Sequence, residues 1–402
     1  MVQVKEALFL ILQKSKKTPL VYQDLEESPG LVLGEDIKAD RDYPPFNRSR
    51  MDGFALSTGD LKNASPSNPV TLKVKGIIPA GSDDSRELNK GEVFKIMTGA
   101  PLPRGADGVV PLEDSSWQED RARFIYKIEA GSNITFQGEE LRKGEITVRK
   151  GIPLGSGEMV LLAMAGKKKV KVYSPPRVGI LVTGEEVVNI GENLAHGKIR
   201  NTNGFMLAAQ TKAKGGIPSF LGLSGDRVEE IKGLIAKNLP YLDVILTTGG
   251  AGGGDYDLIE EVFSSLGANI LFRQLLIKPG HFTLGAWKED KILVGLSGSP
   301  AGAFVSFELL VGPLLKEMQG HNKEEGNFEE ARLKGYIKGG FSQDRYLKGK
   351  AFVDKGTIRV EAKRGGITSF VGVNSLIYIP RGEGPFREGD RVKVILINGL
   401  SL

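Results

Sequence analysis

Between residues 170 and 320 of this 402-residue chain, short apolar runs alternate with stretches of helical length, and this alternation constrains the fold most. RVGILVTG, PSFLGL, LDVILTTGG, NILFRQLLI and KILVGLSG read as buried strands. NGFMLAAQTKAKGG, DRVEEIKGLIAKNL, DYDLIEEVFSSLG and AGAFVSFELLVGPLLKEMQG read as helices. A helix of this length between strands carries the chain back over the sheet. A doubly wound, parallel α/β domain is therefore predicted over 170–322.

The pattern differs on either side. VTLKVKGIIPAG, GEVFKIMTGAPLP, ADGVVPLED and RFIYKIEAG are short apolar runs split by Gly and Pro, so residues 46–140 are expected to be mostly β. GYIKGGF, RYLKGKAFV, TIRVEA, SLIYIPRG and RVKVILING predict a small all-β unit over 323–402. Residues 1–45 and 141–169 are expected to form a linking part, with a strand and a helix in GEITVRKGIPLGSGEMVLLAMAG. At the start, Val4, Leu8, Ile11 and Leu12 fall on one face of a helix, and no A-x-A cleavage site follows. No run approaches the ~20 apolar residues that cross a bilayer. A cytoplasmic protein without membrane contact is the expectation.

Composition narrows the chemistry. With no cysteine, thiolate metal sites, disulfides and cysteine nucleophiles are excluded. His196, His281 and His321 are too scattered for a histidine metal site, so any metal must use oxygen ligands, and Mg²⁺ shared with a phosphate is the natural candidate. The net charge of +5 is interspersed, which favours small anions and gives no case for nucleic acid.

Three loops follow directly on α/β strands: TGEE (Thr183 to Glu186), TTGGAGGGDYD (Thr247 to Asp257) and SGSPAG (Ser297 to Gly302). Ligands of open α/β sheets collect at the carboxyl ends of strands, so the three should share one crevice. Gly249, Gly250 and Gly252 would let backbone approach a ligand. Ser297 and Ser299 precede Pro300 at a helix start, suited to capping the helix or to binding an oxyanion. Asp255 and Asp257 stand where the glycine loop enters its helix, and Asp257 with Glu260 also fits a capping box. Lys278-Pro279-Gly280-His281 offers a fixed cation or a plain turn. Met51 to Phe54 and Met97 to Ala100, taken alone, read as structural turns. The standard phosphate-loop, dinucleotide and hydrolase-elbow motifs are missing.

The strings PPFNRSRMDGFA, KIMTGAPLPRGADGVVPLED, GSNITFQGEELRKGE, PRVGILVTGEEVV, IRNTNGFML, TTGGAGGGDYD, IKPG and GLSGSPAGAFVSFELLV stand in this order along nearly the whole chain. In that order the chain resembles the molybdopterin molybdenumtransferases, the MoeA and gephyrin E-domain family. The resemblance implies a multidomain α/β-plus-β subunit: a projecting β domain, a central MogA-like α/β domain and a C-terminal β-barrel. It also implies a homodimer with a composite active site. The implied reaction takes adenylylated molybdopterin and molybdate or tungstate, releases AMP with Mg²⁺, and leaves the metal on the pterin dithiolene. A molybdopterin adenylyltransferase is the implied supplier of the adenylate.

Carried over by position, Asp52, Thr98, Glu186 and Asp257 match catalytic positions. Asp226 and Lys278 match pterin-binding positions; Ser297, Ser299 and the loop glycines are expected from their loops to contact the pterin, and Asp255, Asp257, Glu186 and Glu140 are expected around the metal. The chain departs from the pattern at Gln274, His281, Ser299 and Lys348, where family residues are lysine, lysine, asparagine and arginine. Two other readings are a non-catalytic pterin-binding or scaffold paralogue, and a molybdopterin adenylyltransferase. The second leaves residues 46–140 without a role.

Overall fold

A computed structural model describes residues 1–83, 86–249, 256–322 and 328–397, without the side chains of Tyr256 and Asp257. The chain forms two compact units. One comprises Met1–Glu35, Lys150–Gly155 and Lys169–Leu402; the other comprises Asp36–Arg149 and Ser156–Lys168. No described helix is long and apolar enough to cross a membrane. The chain opens with helix α1 (Val4–Lys14), which buries Ala7 and Ile11 in the core of the first unit.

The second unit is built on a six-stranded sheet. Its strands are β1 (Gly53–Leu56), β2 (Val70–Ile78), β3 (Glu92–Ile96), β4 (Gly108–Pro111), β5 (Ser115–Gln118) and β6 (Arg121–Phe124). They lie in the order β4-β1-β3-β2-β6-β5, with β2 and β3 parallel and the other neighbours antiparallel. β1 begins inside the segment that reads as a turn, Met51 to Phe54. Gly53 lets it dock on β4, because a methyl group there would lie 2.2 Å from the Val110 carbonyl oxygen. A helix, α2 (Ser156–Met164), completes the unit.

In the first unit the predicted alternation holds. β7 (Arg177–Thr183), α3 (Asn203–Ala213), β8 (Ile217–Ser224), α4 (Val228–Asn238), β9 (Val244–Thr248), α5 (Tyr256–Ser265) and β10 (Asn269–Phe272) follow in sequence. After them come β11 (Ile277–Lys278), β12 (Leu284–Lys288), β13 (Lys291–Leu296), α6 (Pro300–Ser306) and α7 (Gly312–Met318). The sheet order is β8-β7-β9-β13-β12-β10. The expectation of a wholly parallel sheet is corrected: β8, β7, β9 and β13 are parallel, but β12 is antiparallel to both its neighbours. The β12–β13 hairpin turns through Glu289 at φ 56°, a connection too short for a crossover helix.

Period-two alternation sends side chains to both faces. Ile180, Leu246 and Val294 join a core with α1, α3, α6 and α7, while Leu181, Ile245 and Leu293 join another with α4 and α5. Each such fully buried side chain contributes about 1.5–3 kcal/mol.

Between α6 and α7 the helix widens into a π-helical stretch, Phe307–Val311. There the carboxylate of Glu308 meets Lys214 Nζ at 3.0 Å, with only 3% and 13% of the two side chains exposed. Gln210 Nε2 donates to Glu308 at 2.8 Å, and Lys214 also donates to the Ile397 carbonyl at 3.2 Å. Removing one partner of a buried pair strands the other charge. Lys214→Met should therefore lower the unfolding free energy in urea by about 3–5 kcal/mol, and Lys214→Met with Glu308→Leu should recover much of it. Unchanged stability of the single variant would show the pair to be idle.

The C-terminal strands are β14 (Glu329–Lys334), β15 (Asp344–Asp354), β16 (Thr357–Ala362), β17 (Ser375–Ile379) and β18 (Arg391–Leu396). They pair in the closed order β15-β16-β14-β18-β17 and back to β15, a five-stranded barrel. β11 adds to the barrel by pairing parallel with the start of β15, Ile277 opposite Asp344 and Lys278 opposite Arg345.

Candidate functional site

The three loops singled out in the sequence meet at the carboxyl ends of β7, β9 and β13. Thr183, Glu186, Asn203, Asp226, Thr248, Gly249, Gly298 and Pro300 are among the residues lining a cleft of ≈ 360 Å³. Gly249 is required by its position. At φ +122° it passes so close to β7 that a methyl group would lie 1.8 Å from the Thr183 carbonyl oxygen. Asn203, at the start of α3, fastens the other two loops: its amide donates to Thr248 Oγ1 at 2.9 Å and to the Gly298 carbonyl at 2.8 Å. Thr248 Oγ1 donates in turn to the Ser297 carbonyl at 3.0 Å. Two buried polar atoms of the lining residues, Thr183 Oγ1 and Asn203 Oδ1, have no hydrogen-bond partner among the described residues. A buried orphan costs about 1–3 kcal/mol, and these two sit against the wall of the cleft.

Ser299 caps α6, its hydroxyl accepting from Gly302 N at 3.2 Å and lying 3.1 Å from Ser297 Oγ. Both serines are thus engaged in holding the third loop. Gly250, Gly252 and Asp255 lie outside the described residues, as does the side chain of Asp257. The backbone of Asp257 falls inside α5, and both Glu260 oxygens accept from Arg273 Nε at 2.9 Å. The capping-box reading is therefore corrected. Asp257 stands inside α5 rather than at its N-cap, and Glu260 holds α5 to the end of β10.

Lys278 does not line this cleft. It sits at the end of β11, in a loop fastened by Thr283 Oγ1 donating to the Gly280 carbonyl at 2.8 Å. His281 Nδ1 lies 2.7 Å from the Leu275 carbonyl, a local contact. Next to this loop is a second cleft, ≈ 420 Å³, between Pro279 and Ala301 on one side and the barrel on the other. Lys338, Lys348, Lys363 and Arg364 line it, along with Tyr346. The Lys348 ammonium lies 3.8 Å over the Phe370 ring and donates to Ser369 Oγ; burial pulls its pKa below the ordinary lysine value. Burial also raises the Tyr346 hydroxyl pKa, keeping it neutral. Sequence reasoning named Lys348 as a family position but missed this cationic cleft, because Lys338, Lys348, Lys363 and Arg364 come together only in the folded chain.

Asp52, Thr98 and Glu140 belong to the other unit. Asp52 Oδ1 accepts from Thr98 N at 2.7 Å and from Thr98 Oγ1 at 2.8 Å. The Thr98 amide, then its hydroxyl, and the charge of Lys95 hold the Asp52 carboxyl below the usual carboxylate range. The lowered pKa keeps this exposed group ionised further into acid than an ordinary aspartate. Gly99, at φ +77°, turns the chain so that Thr98 can make both bonds. Glu140 is ion-paired with Arg48 at 3.1 Å.

Among the described residues no three His, Asp or Glu side chains cluster as a metal site. The first cleft nevertheless presents the carboxylates of Glu186 and Asp226 beside Thr183 and Asn203, with Arg200 also in its lining, and these oxygens are of the hard kind that suits Mg²⁺.

Comparison with known proteins matches these two regions separately. A family profile described as the MoeA N-terminal region (domain I and II) fits residues 2–166, and one described as a probable molybdopterin binding domain fits residues 179–317. A molybdopterin molybdenumtransferase of Staphylococcus epidermidis is 34% identical over 98% of this chain and 95% of its own. That of Bacillus subtilis is 33% identical over 98% and 94%. A solved molybdopterin biosynthesis moeA protein from Pyrococcus horikoshii superposes with a TM-score of 0.86 at 31% identity, covering 99% of this chain and 100% of that one.

Proposed function

Because the chain belongs to the molybdopterin molybdenumtransferase family, a family of molybdenum cofactor biosynthesis, we propose that it inserts molybdenum or tungsten into adenylylated molybdopterin with release of AMP. The observation that carries this reading is the pair of buried, unpartnered oxygens in a cleft flanked by Glu186 and Asp226. Asn203 Oδ1 can only accept, while Thr183 Oγ1 can donate or accept, a combination matched to the alternating N–H and C=O edge of a pterin. Gly249, with Gly250 and Gly252, lets backbone approach the ligand, and Ser297 and Ser299 keep the third loop in place.

Glu186, Asp257, Asp255 and Asp226 supply the oxygens for a divalent cation, which when bound offsets the charge of the adenylate phosphate. The second cleft, with Lys348 and neighbouring Lys278, takes the anionic parts of the reactants. Asp52, fixed by Thr98, orders the reacting phosphate. We place Asp52 at the cleft of a second copy, in a homodimer whose two active sites each draw on both chains, with a molybdopterin adenylyltransferase supplying the adenylate. The adenylyltransferase reading for this chain itself would leave 2–166 unexplained, although that segment matches the MoeA N-terminal region.

The test is incubation of the purified protein with adenylylated molybdopterin, Mg²⁺ and either molybdate or tungstate. AMP should appear in step with metal on the pterin, and neither should appear when Mg²⁺ is removed. Pterin binding without AMP release would favour the scaffold reading.

A further inference from the structure

Near Asp52 the second unit carries a cation, Lys95, that makes no ion pair among the described residues. In the β1–β3 register Lys95 stands opposite Phe54, so the two side chains share one face of the sheet. Asp52 directly precedes β1, and the charge of Lys95 reaches its carboxylate. Phe54 meets the ring of Trp117 edge-on at 6.1 Å, and the Lys95 ammonium lies 4.3 Å over the Trp117 ring centroid. The indole is itself held, its Nε1 donating to the Glu119 carbonyl at 2.8 Å, and it is 44% exposed. Lys95 makes no hydrogen bond or ion pair among the described residues, although the charged Asp52 is near enough to feel it. The second oxygen of Asp52, Oδ2, is likewise without a hydrogen bond among them, since both Thr98 bonds go to Oδ1.

A carboxylate facing an anionic substrate would repel it. A neighbouring ammonium whose N–H groups make no hydrogen bond among the described residues offsets that charge and offers donors to an anion, and the Trp117 ring lies under it. We propose that Lys95, laid over Trp117, is a substrate-binding residue that holds a tetrahedral oxyanion at the Asp52 edge of the active site, either the adenylate phosphate or the incoming molybdate. The assignment rests on the reading above that Asp52 faces the substrate.

Lys95→Met, Lys95→Arg and Asp52→Asn proteins are to be compared with the parent, measuring KM separately for adenylylated molybdopterin and for molybdate at low and high salt. In Lys95→Met one of the two KM values should rise about tenfold and lose most of its dependence on ionic strength. Lys95→Arg, which keeps the charge, should stay within about threefold of the parent. A rise confined to the adenylate identifies the phosphate as the anion held; a rise confined to molybdate identifies the metal oxyanion. If both KM values and their salt dependence stay at parental levels in Lys95→Met while Asp52→Asn is inactive, Lys95 has no such role although Asp52 does. If Asp52→Asn also behaves like the parent, the placement of Asp52 at the substrate fails with it.

Discussion

Glu186→Gln should release AMP from adenylylated molybdopterin at least about a hundredfold more slowly than the parent protein, the scale of losing one preorganised charge contact to a reacting phosphate. The change keeps the side chain's size and removes one negative charge from the first cleft. Glu186 is exposed, with its carboxylate folded over Gly184, so unfolding should occur at nearly the parental temperature. Higher Mg²⁺ should restore part of the lost rate if the carboxylate helps to hold the cation. Parental turnover in Glu186→Gln would move the cation and the adenylate elsewhere.

The second large effect concerns two chains at once. Asp52→Ala and Glu186→Ala proteins should each be inactive. A mixed dimer of the two should regain roughly half the parental activity, by counting sites in a closed two-fold assembly. If each site draws Asp52 from one chain and Glu186 from the other, as proposed, the mixed dimer has one site lacking both carboxylates and one site intact. Tagging the two variants differently and isolating the doubly tagged species isolates the outcome. An inactive mixed dimer would mean that both residues act within one chain, or that neither site works alone.

The sequence was most legible where burial is two-sided. Strands β7, β9 and β13 are nearly continuous apolar runs because helices cover both faces, and their loops meet as the parallel order requires. Strands with one wet face were harder. β14, EEARLK, buries only Ala331 and Leu333 and looks like a charged linker. β12 offers Leu284, Ala286 and Trp287 around a glycine and is easily taken for a loop. NILFRQLLI reads as one strand, yet it splits into β10 in the α/β sheet and β11 against the barrel, and residue order alone does not say which sheet will claim an apolar run.

The site followed the same division. Gly249 and Ser299 were visible because glycine beside a strand end and Ser-Pro before a helix have local causes. Asn203 and the lysines of the second cleft were not. Their role arises from partners 45 and 95 residues away for Asn203, and from four cations brought together across the barrel. No local pattern encodes such distances.

The parallel pairing of β11 with β15 has a consequence for how such proteins can be recombined. Two residues that belong by sequence to the α/β domain, Ile277 and Lys278, pair with the start of β15, and the same β15 carries Lys348 into the cationic cleft. The barrel is therefore not a cassette that can be exchanged at the junction near residue 322. A chimera with a relative's barrel inherits a seam in which one parent's 277–278 must register with the other parent's 344–345. Swaps that carry both segments from the same parent keep that seam and the spacing between Pro279 and Lys348; swaps that separate them place the mismatch on the wall of the anion cleft.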